Sequence, residues 1–273
     1  MSKHLCLLGS SLIALAVPLA AADRTHLTSD PLSGAITVDG RQGDWPEGAA
    51  PLANEAISLE AVNDGTNLYL LVLTSDPARR AQLMREGLIV WFDPGGGTKK
   101  RFGVRYPVVE SLSPGEGRGR FGGGHRGGGE NGAPAEGTYN PTDRLDVLGP
   151  GKDDARSLTL DHAAGLEAAA RLQEGVFVYE LKVPLVATGD HPYAVGTAAG
   201  KTIGVGLETP KLAKPSAPEG GGGGYGGRGG GHMGGGMGGH GGYPHSSGEH
   251  SPFQQAKPLN VWSTVTLSGT PDR

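Results

Sequence analysis

The clearest alternation of apolar and polar positions lies in residues 57–73. Residues 57–62 and 68–73 each place apolar side chains at every second position, and Asn63-Asp64-Gly65 between them has the composition of a tight turn. The pattern predicts a β-hairpin, because Asp-Gly tolerates the backbone angles that such a turn requires. Residues 68–73 are apolar on both faces, so we expect this strand to be central or covered by another element.

A short helix is predicted directly after the hairpin. Asp76 can cap its first turn, Pro77 suits its first position and Gly87 suits its end, which together favour a helix over residues 77–86. We expect the arginines of this segment to form a solvated face; they are Arg79, Arg80 and Arg85.

Further strands are predicted on both sides of this region. Residues 88–92 and 102–106 have strand patterns that extend the hairpin into an antiparallel meander. Upstream, residues 35–38 predict a short strand, and Trp45 is expected to plug the end of a core. Downstream, residues 203–207 predict a strand whose alternate glycines allow close approach of another chain segment.

One segment allows two interpretations from its residues alone. Residues 167–172 contain good helix formers, whereas the turn at Gln173-Glu174-Gly175 and the alternation in residues 177–183 are equally typical of a second hairpin.

These pieces, taken in order, resemble a known family. They are ITVDGRQGDW, VNDGTNLYLLVLTSDP, GLIVWFDP, FGVRYPV, GVFVYELKVPL, KTIGVGLETP and LNVWSTVTL. Together they resemble the carbohydrate-binding module family 9-like domains, which are related to the DOMON superfamily. The resemblance implies an all-β, immunoglobulin-like antiparallel β-sandwich with one short helix, and it favours strands for residues 167–172.

Two glycine-rich segments interrupt the strand patterns, at about residues 112–140 and 210–257. Glycine occupies 11 of the 23 residues 115–137 and 17 of the 24 residues 220–243. Such composition cannot offset the entropy of ordering, so we expect two disordered insertions within one domain that spans residues 23–273.

The first 22 residues predict a signal peptide. Lys3 and His4 precede an apolar run over residues 5–19, and three alanines follow before Asp23. The run is too short and too interrupted for a membrane span, so we expect an exported protein, periplasmic or extracellular. Cleavage would also remove Cys6, the only cysteine.

The charge balance limits the partners. The chain has 24 basic and 28 acidic residues, a formal net charge of -4, which gives no general attraction for nucleic acid or an anionic membrane. Arg-Gly-Gly pieces in the glycine-rich segments are known from nucleic-acid-binding proteins, but export and net charge argue against such a partner.

No catalytic residue is predicted, because no nucleophile and base occur in a recognisable arrangement. The family resemblance implies sugar binding between two aromatic faces, often with calcium supporting the loops. Here one clamp position, just before residues 88–92, holds no aromatic residue. The other clamp position of the family lies in the loop before the last strand, where this chain has its second glycine-rich segment, and Tyr243 and Phe253 are the substitutes there. Trp91 is the third ligand-binding candidate, although Trp91 and Trp262 both fit strand patterns in which core or sheet-face packing is the simpler role.

Metal ligands are the remaining candidates. Asp93, at the end of a strand, is a candidate calcium ligand, although turn carboxylates commonly bond to nearby backbone amides instead. The second glycine-rich segment carries four imidazoles that could bind a transition metal; they are His232, His240, His245 and His250.

The sequence therefore favours an exported non-catalytic module that binds carbohydrate or cell-envelope glycan. Two alternatives remain open at this point. One is a structural or adhesive envelope protein that uses its glycine-rich loops, and the other is a haem-binding electron-transfer domain with Met84 and either His162 or His191 as axial ligands.

Overall fold

The computed structural model describes residues 24–46, 48–52, 55–108, 139–151, 153–211 and 256–269. In chain order the elements are β1 (Thr25–Thr28), β2 (Asp30–Pro31), β3 (Ala50–Leu52), β4 (Ile57–Asn63), β5 (Asn67–Thr74), α1 (Pro77–Glu86), β6 (Leu88–Asp93), β7 (Phe102–Tyr106), β8 (Arg144–Leu148), β9 (Ala155–Thr159), β10 (Glu167–Gln173), β11 (Val176–Pro184), β12 (Thr202–Glu208) and β13 (Asn260–Thr266). A 3-10 turn, Leu160–His162, precedes β10.

These strands form two sheets packed face to face. The seven-stranded sheet has the order β1-β13-β12-β6-β7-β8-β9, and the six-stranded sheet has the order β10-β11-β5-β4-β2 with β3 also paired to β4. Apolar side chains from both sheets, such as Leu59, Leu70, Val90 and Val205, are fully buried between them. The predicted all-β sandwich with one short helix is confirmed. The pairs β1–β13 and β2–β4 are parallel, so both sheets are mixed.

The predicted meander is wrong. The hairpin β4–β5 belongs to the six-stranded sheet, whereas β6 and β7 pair in the seven-stranded sheet. Helix α1 connects the two sheets, so β6 does not return beside β5. Alternation indicates which face of a strand is buried, but it carries no information about which strand lies beside it.

The second hairpin is confirmed, since β10 pairs antiparallel with β11. The helix interpretation of residues 167–172 is therefore excluded. Strands β1, β2, β3, β8 and β9 were not predicted from the sequence. The prediction that β5 is central is also confirmed, because β5 lies between β4 and β11.

Residues 32–46 cover the outer face of the six-stranded sheet, and we call them the N-terminal cover. Trp45 is 7% exposed and packs in a second, smaller core with Val62, Tyr69 and Leu71. Trp45 thus fills this small core on the outer face of the sheet. It does not close the end of the main core. The predicted strand over residues 35–38 is wrong: the backbone N–H of Thr37 donates instead to Asp44 Oδ2, at 2.6 Å.

Helix α1 begins and ends where the sequence predicts. Asp76 Oδ1 accepts the backbone N–H of Arg79 at 2.7 Å, and Gly87 forms the C-cap. The expectation that its arginines form a solvated face is wrong for Arg79, which is only 5% exposed. Its guanidinium donates to Glu55 Oε2, at 2.9 Å, and to the carbonyl of Lys257, at 2.8 Å. Arg79 therefore ties together chain segments that adjoin the two sheets.

Residues 1–22, predicted as a signal peptide, lie outside the described residues, as do almost all residues of the two predicted insertions. Within the ranges described, no helix is long and apolar enough to cross a membrane.

Candidate ligand-binding face

Two tryptophans lie in one row on the outer face of the seven-stranded sheet. The strand register places Trp262, Gly206, Trp91 and Gly103 side by side on β13, β12, β6 and β7. The neighbouring residues along these strands, such as Val90, face the core, so this row faces outward. Both indoles are half-buried. We call these four residues the tryptophan row.

The indole rings of this row lie against the backbone of the adjacent strand. A Cβ atom on Gly206 would stand 2.6 Å from Cε2 of Trp262, and one on Gly103 would stand 2.6 Å from Cε3 of Trp91. Only glycine leaves room for a ring at this distance. Neighbouring strands are about 4.8 Å apart, so the two tryptophan backbones are separated by about 10 Å. The result is a broad aromatic surface that is nearly parallel to the sheet.

Charged groups hold the ring of Trp91 in place. Its Nε1–H donates to Glu208 Oε2 at 2.8 Å, and the ammonium of Lys100 lies 5.3 Å from the ring centroid. Lys100 also forms an ion pair with Glu208. Within the described part of the chain, the indole N–H of Trp262 has no comparable partner.

Polar side chains border the row on one side. Asn260 is exposed beside Glu208, and Arg105 lies 3.7 Å from Asp146 Oδ2 on the neighbouring strand. Asp146 also accepts a hydrogen bond from the hydroxyl of Ser157. The face therefore combines an aromatic centre with hydrogen-bonding groups of both charges.

Asp93 lies at the end of β6, two residues beyond Trp91. Its Oδ1 accepts the backbone N–H of Gly95 at 3.1 Å, and its Oδ2 accepts that of Lys99 at 2.9 Å. Asp93 thus fixes the loop of residues 94–101, whose Gly97 carbonyl packs against Gly204. Among the residues that the structure describes, no three His, Cys, Asp or Glu side chains lie close enough together to hold a metal ion. Calcium binding at Asp93 stays a prediction.

Trp91 is the one predicted ligand-binding aromatic residue that the structure describes. The other two, Tyr243 and Phe253, lie outside the described residues, as do His232, His240, His245 and His250. The segment that carries them leaves the sheet after β12 and returns before β13, so both of its ends adjoin the tryptophan row. Trp262 was missed as a site residue. Its signal was the glycine at every second position of β12, which could be interpreted only once β12 and β13 were known to pair.

The predicted haem ligands are not brought together. Met84 belongs to α1, and this helix lies at the end of the sandwich that carries the turn between β10 and β11. Arg80 of α1 donates to the carbonyl of Gly175 in that turn. His162 precedes the other end of β10, a strand of seven residues that spans roughly 20 Å. His191 packs against Gly165, at the same end as His162.

A shallow cleft of about 700 Å³ lies at the end of the sandwich beside the loop of residues 94–101. Small side chains and backbone form most of its lining, together with Lys201 and Val186, whose side chain is 58% exposed. It brings together no pair of titratable groups that could act as acid and base.

Comparisons with known proteins give a distant likeness to a solved structure. No family model matches this chain, and no curated protein does. A solved structure from Bacteroides uniformis, described as a "putative carbohydrate-binding protein", is similar with a TM-score of 0.32 and 9% sequence identity, over 68% of this chain and 84% of that chain.

Proposed function

We propose that this protein is an exported, non-catalytic module that binds carbohydrate on the tryptophan row. The observation that carries the proposal is the pair of outward-facing indoles, Trp91 and Trp262, each held flat over a glycine. The apolar face of a sugar ring stacks on such a surface, and binding sites commonly combine aromatic area with a few polar groups that fix orientation.

The surroundings of the row suit sugar hydroxyls. Glu208 and Lys100 offer an acceptor and a donor beside Trp91, and the exposed amide of Asn260 offers both. The row lies on an open sheet face rather than in an enclosed pocket. This geometry favours a ligand of several consecutive sugars in a chain. The family resemblance instead implies a single buried sugar end.

The two carboxylates of this face are engaged within the sheet, which favours a non-catalytic role. Glu208 and Asp146 lie in one row, three strands apart, so their backbones are about 14 Å from each other. Glu208 accepts the indole N–H of Trp91, and Asp146 accepts the hydroxyl of Ser157. Each of these acids is also paired with a cation, Glu208 with Lys100 and Asp146 with Arg105.

Export, calcium support at Asp93 and ligand contacts from Tyr243 and Phe253 stay part of the proposal on sequence grounds alone. The alternative of a structural or adhesive envelope protein depends on the glycine-rich segments, which lie outside the described residues. The haem alternative loses its support, because Met84 and the two histidines lie at opposite ends of the sandwich.

The test is a glycan-array screen of the full chain, followed by calorimetric titration of the best polysaccharide. We expect Trp262→Ala to weaken binding at least about tenfold, since buried aromatic anchors contribute most of the energy of an interface. Trp262→Phe should retain part of the affinity, because it keeps a stacking ring.

Val186→Ala is the matched control, since it removes an exposed apolar side chain that lies away from the row. Circular dichroism would establish that each variant folds. The proposal fails if no glycan binds at millimolar concentration, or if Trp262→Ala binds as tightly as the unmodified chain.

A further inference from the structure

Basic side chains surround the tryptophan row on the side of the loop of residues 94–101. Lys99, Lys100 and Arg101 are consecutive and exposed. Arg24 reaches the carbonyl of Gly96 in the same loop, at 3.4 Å. Lys201 is exposed beside it, in the lining of the end cleft. We call these five cations the basic loop patch.

Two basic residues lie two positions from Gly103, the residue beneath the ring of Trp91. Arg105 follows Gly103 on the same face of β7, and Arg101 directly precedes β7. Side chains at such positions lie roughly 7 Å from the central one. The ammonium of Lys100 lies 5.3 Å from the ring centroid of Trp91, so three basic residues occur close to this indole in the strand register.

Few acidic groups neutralise this patch. Glu208 pairs with Lys100 and also accepts the Trp91 N–H. Asp93 is 5% exposed, and its oxygens accept the backbone N–H groups of Gly95 and Lys99. Within the described ranges, the side chains of Lys99 and Arg101 have no acidic partner. The patch is therefore locally positive on a chain whose net charge is -4.

We propose that the ligand of this face is an acidic polysaccharide of the uronate class, with its pyranose rings on Trp91 and Trp262 and its carboxylates on Arg101 and Lys99. This inference rests on the proposed carbohydrate function and specifies its substrate class. The planar guanidinium of Arg101 matches a carboxylate with two parallel hydrogen bonds, and an ion pair of this kind is stronger than a neutral hydrogen bond.

Single-stranded nucleic acid has the same combination of stacking rings and negative charges, but the whole chain argues against it. Domains that bind nucleic acid are typically strongly basic, with pI above about 9. This chain has a pI of about 6.1, and the basic loop patch contains only five of its 24 basic residues.

A matched pair of ligands isolates the contribution of the ligand's negative charge to binding. Calorimetric titration of the full chain would compare polygalacturonate with the same polymer fully methyl-esterified, which keeps the sugar rings and removes the negative charge. We expect the acid form to bind about tenfold more tightly at low salt, and we expect this preference to shrink as salt screens the charges. Arg101→Gln should remove most of the preference and leave binding of the ester unchanged.

Arg41→Gln is the matched control variant. Arg41 is an exposed arginine of the N-terminal cover, on the opposite side of the sandwich, and it pairs with Asp39. This variant should keep the full preference for the acid form. If both arginine variants lost the preference for the acid form to the same extent, the proposal would be overturned, because the preference would then reflect only the net charge of the chain.

The remaining outcomes separate this inference from the function on which it rests. Equal binding of acid and ester, with both lost in Trp262→Ala, would overturn the uronate inference and keep the carbohydrate function. Tighter binding of a sulfated polysaccharide or of single-stranded DNA would overturn the uronate class. Absence of binding to both polymers, together with a glycan array without hits, would overturn both proposals.

Discussion

The two outer faces of the sandwich each carry a tryptophan that donates its indole N–H to a glutamate of a strand, with opposite consequences. On the six-stranded sheet, Trp45 Nε1 donates to Glu180 Oε1 at 2.5 Å, and Glu180 is fully buried. On the seven-stranded sheet, Trp91 donates to Glu208 at 2.8 Å and stays half-exposed.

The difference lies in what covers each pair. The N-terminal cover lies over Glu180, whose oxygens also accept the backbone N–H groups of Asp39 and Gly40. Burial raises the pKa of Glu180, and its hydrogen bonds from Trp45 and the cover oppose that rise. Glu208 instead pairs with an exposed lysine, Lys100. The same two residue types therefore fasten a chain segment on one face and, among the described residues, stay partly exposed on the other.

The largest expected effect on stability concerns the covered pair, Trp45 and Glu180. Trp45→Ala removes a buried ring and leaves Glu180 without one of its donors, so we expect the free energy of unfolding to fall by about 3 to 5 kcal/mol. Trp91→Ala, whose ring is half-exposed, should cost clearly less. Chemical denaturation of both variants measures the difference, and equal losses would contradict the distinction between the two faces.

A second prediction concerns Glu60, which lies on the covered face and is 4% exposed. Burial, with a smaller contribution from Asp30, raises the pKa of Glu60 from 4.5 to about 7, and Oε1 has no hydrogen-bond partner among the described residues. Between pH 4.5 and about 7 the folded state therefore holds more protons than the unfolded state. Its stability falls as pH rises through that window.

Glu60→Gln removes this titration. We expect the variant to be more stable than the unmodified chain at pH 8, by roughly 2 kcal/mol, and similar to it at pH 4. Urea unfolding at the two pH values measures the change. A difference of the same size at both pH values would show that Glu60 does not titrate as proposed.

The smallest expected effect on stability tests the open face. Gly206→Ala places a methyl group 2.6 Å from the ring of Trp262, so the ring must tilt away from the sheet. We expect a loss of about 1 kcal/mol in stability and a larger loss in glycan affinity. Gly189→Ala is the control, because a Cβ there would meet no atom within 4 Å. Unchanged glycan affinity in Gly206→Ala would show that the flat ring is not required.

Much of the fold followed from local chemistry. The caps at Asp76 and Gly87 correctly predicted the bounds of α1, and the alternation in residues 177–183 correctly predicted a strand. The errors concern contacts between distant segments. Arg79 is buried because Glu55 and Lys257 reach it from other parts of the chain, and residues 35–38 run along a sheet without pairing to it.

The candidate site, too, could be predicted only in part from local sequence. Trp91 could be proposed from its aromatic side chain and its position near a strand end, but Trp262 could not be distinguished from a residue that packs on a sheet. The glycines of β12 predicted close approach without indicating what approaches. In the structure, the Gly97 carbonyl packs against Gly204 and the ring of Trp262 lies over Gly206.

The sequence by itself determined the strands β4 to β7, β11 and β12, and the helix with its caps, because these depend on side chains a few residues apart. Only the tertiary structure decided that Trp91 and Trp262 share one row and that Trp45 is covered. The order and register of strands depend on packing between segments far apart in the chain, and no local sequence pattern specifies that order or register.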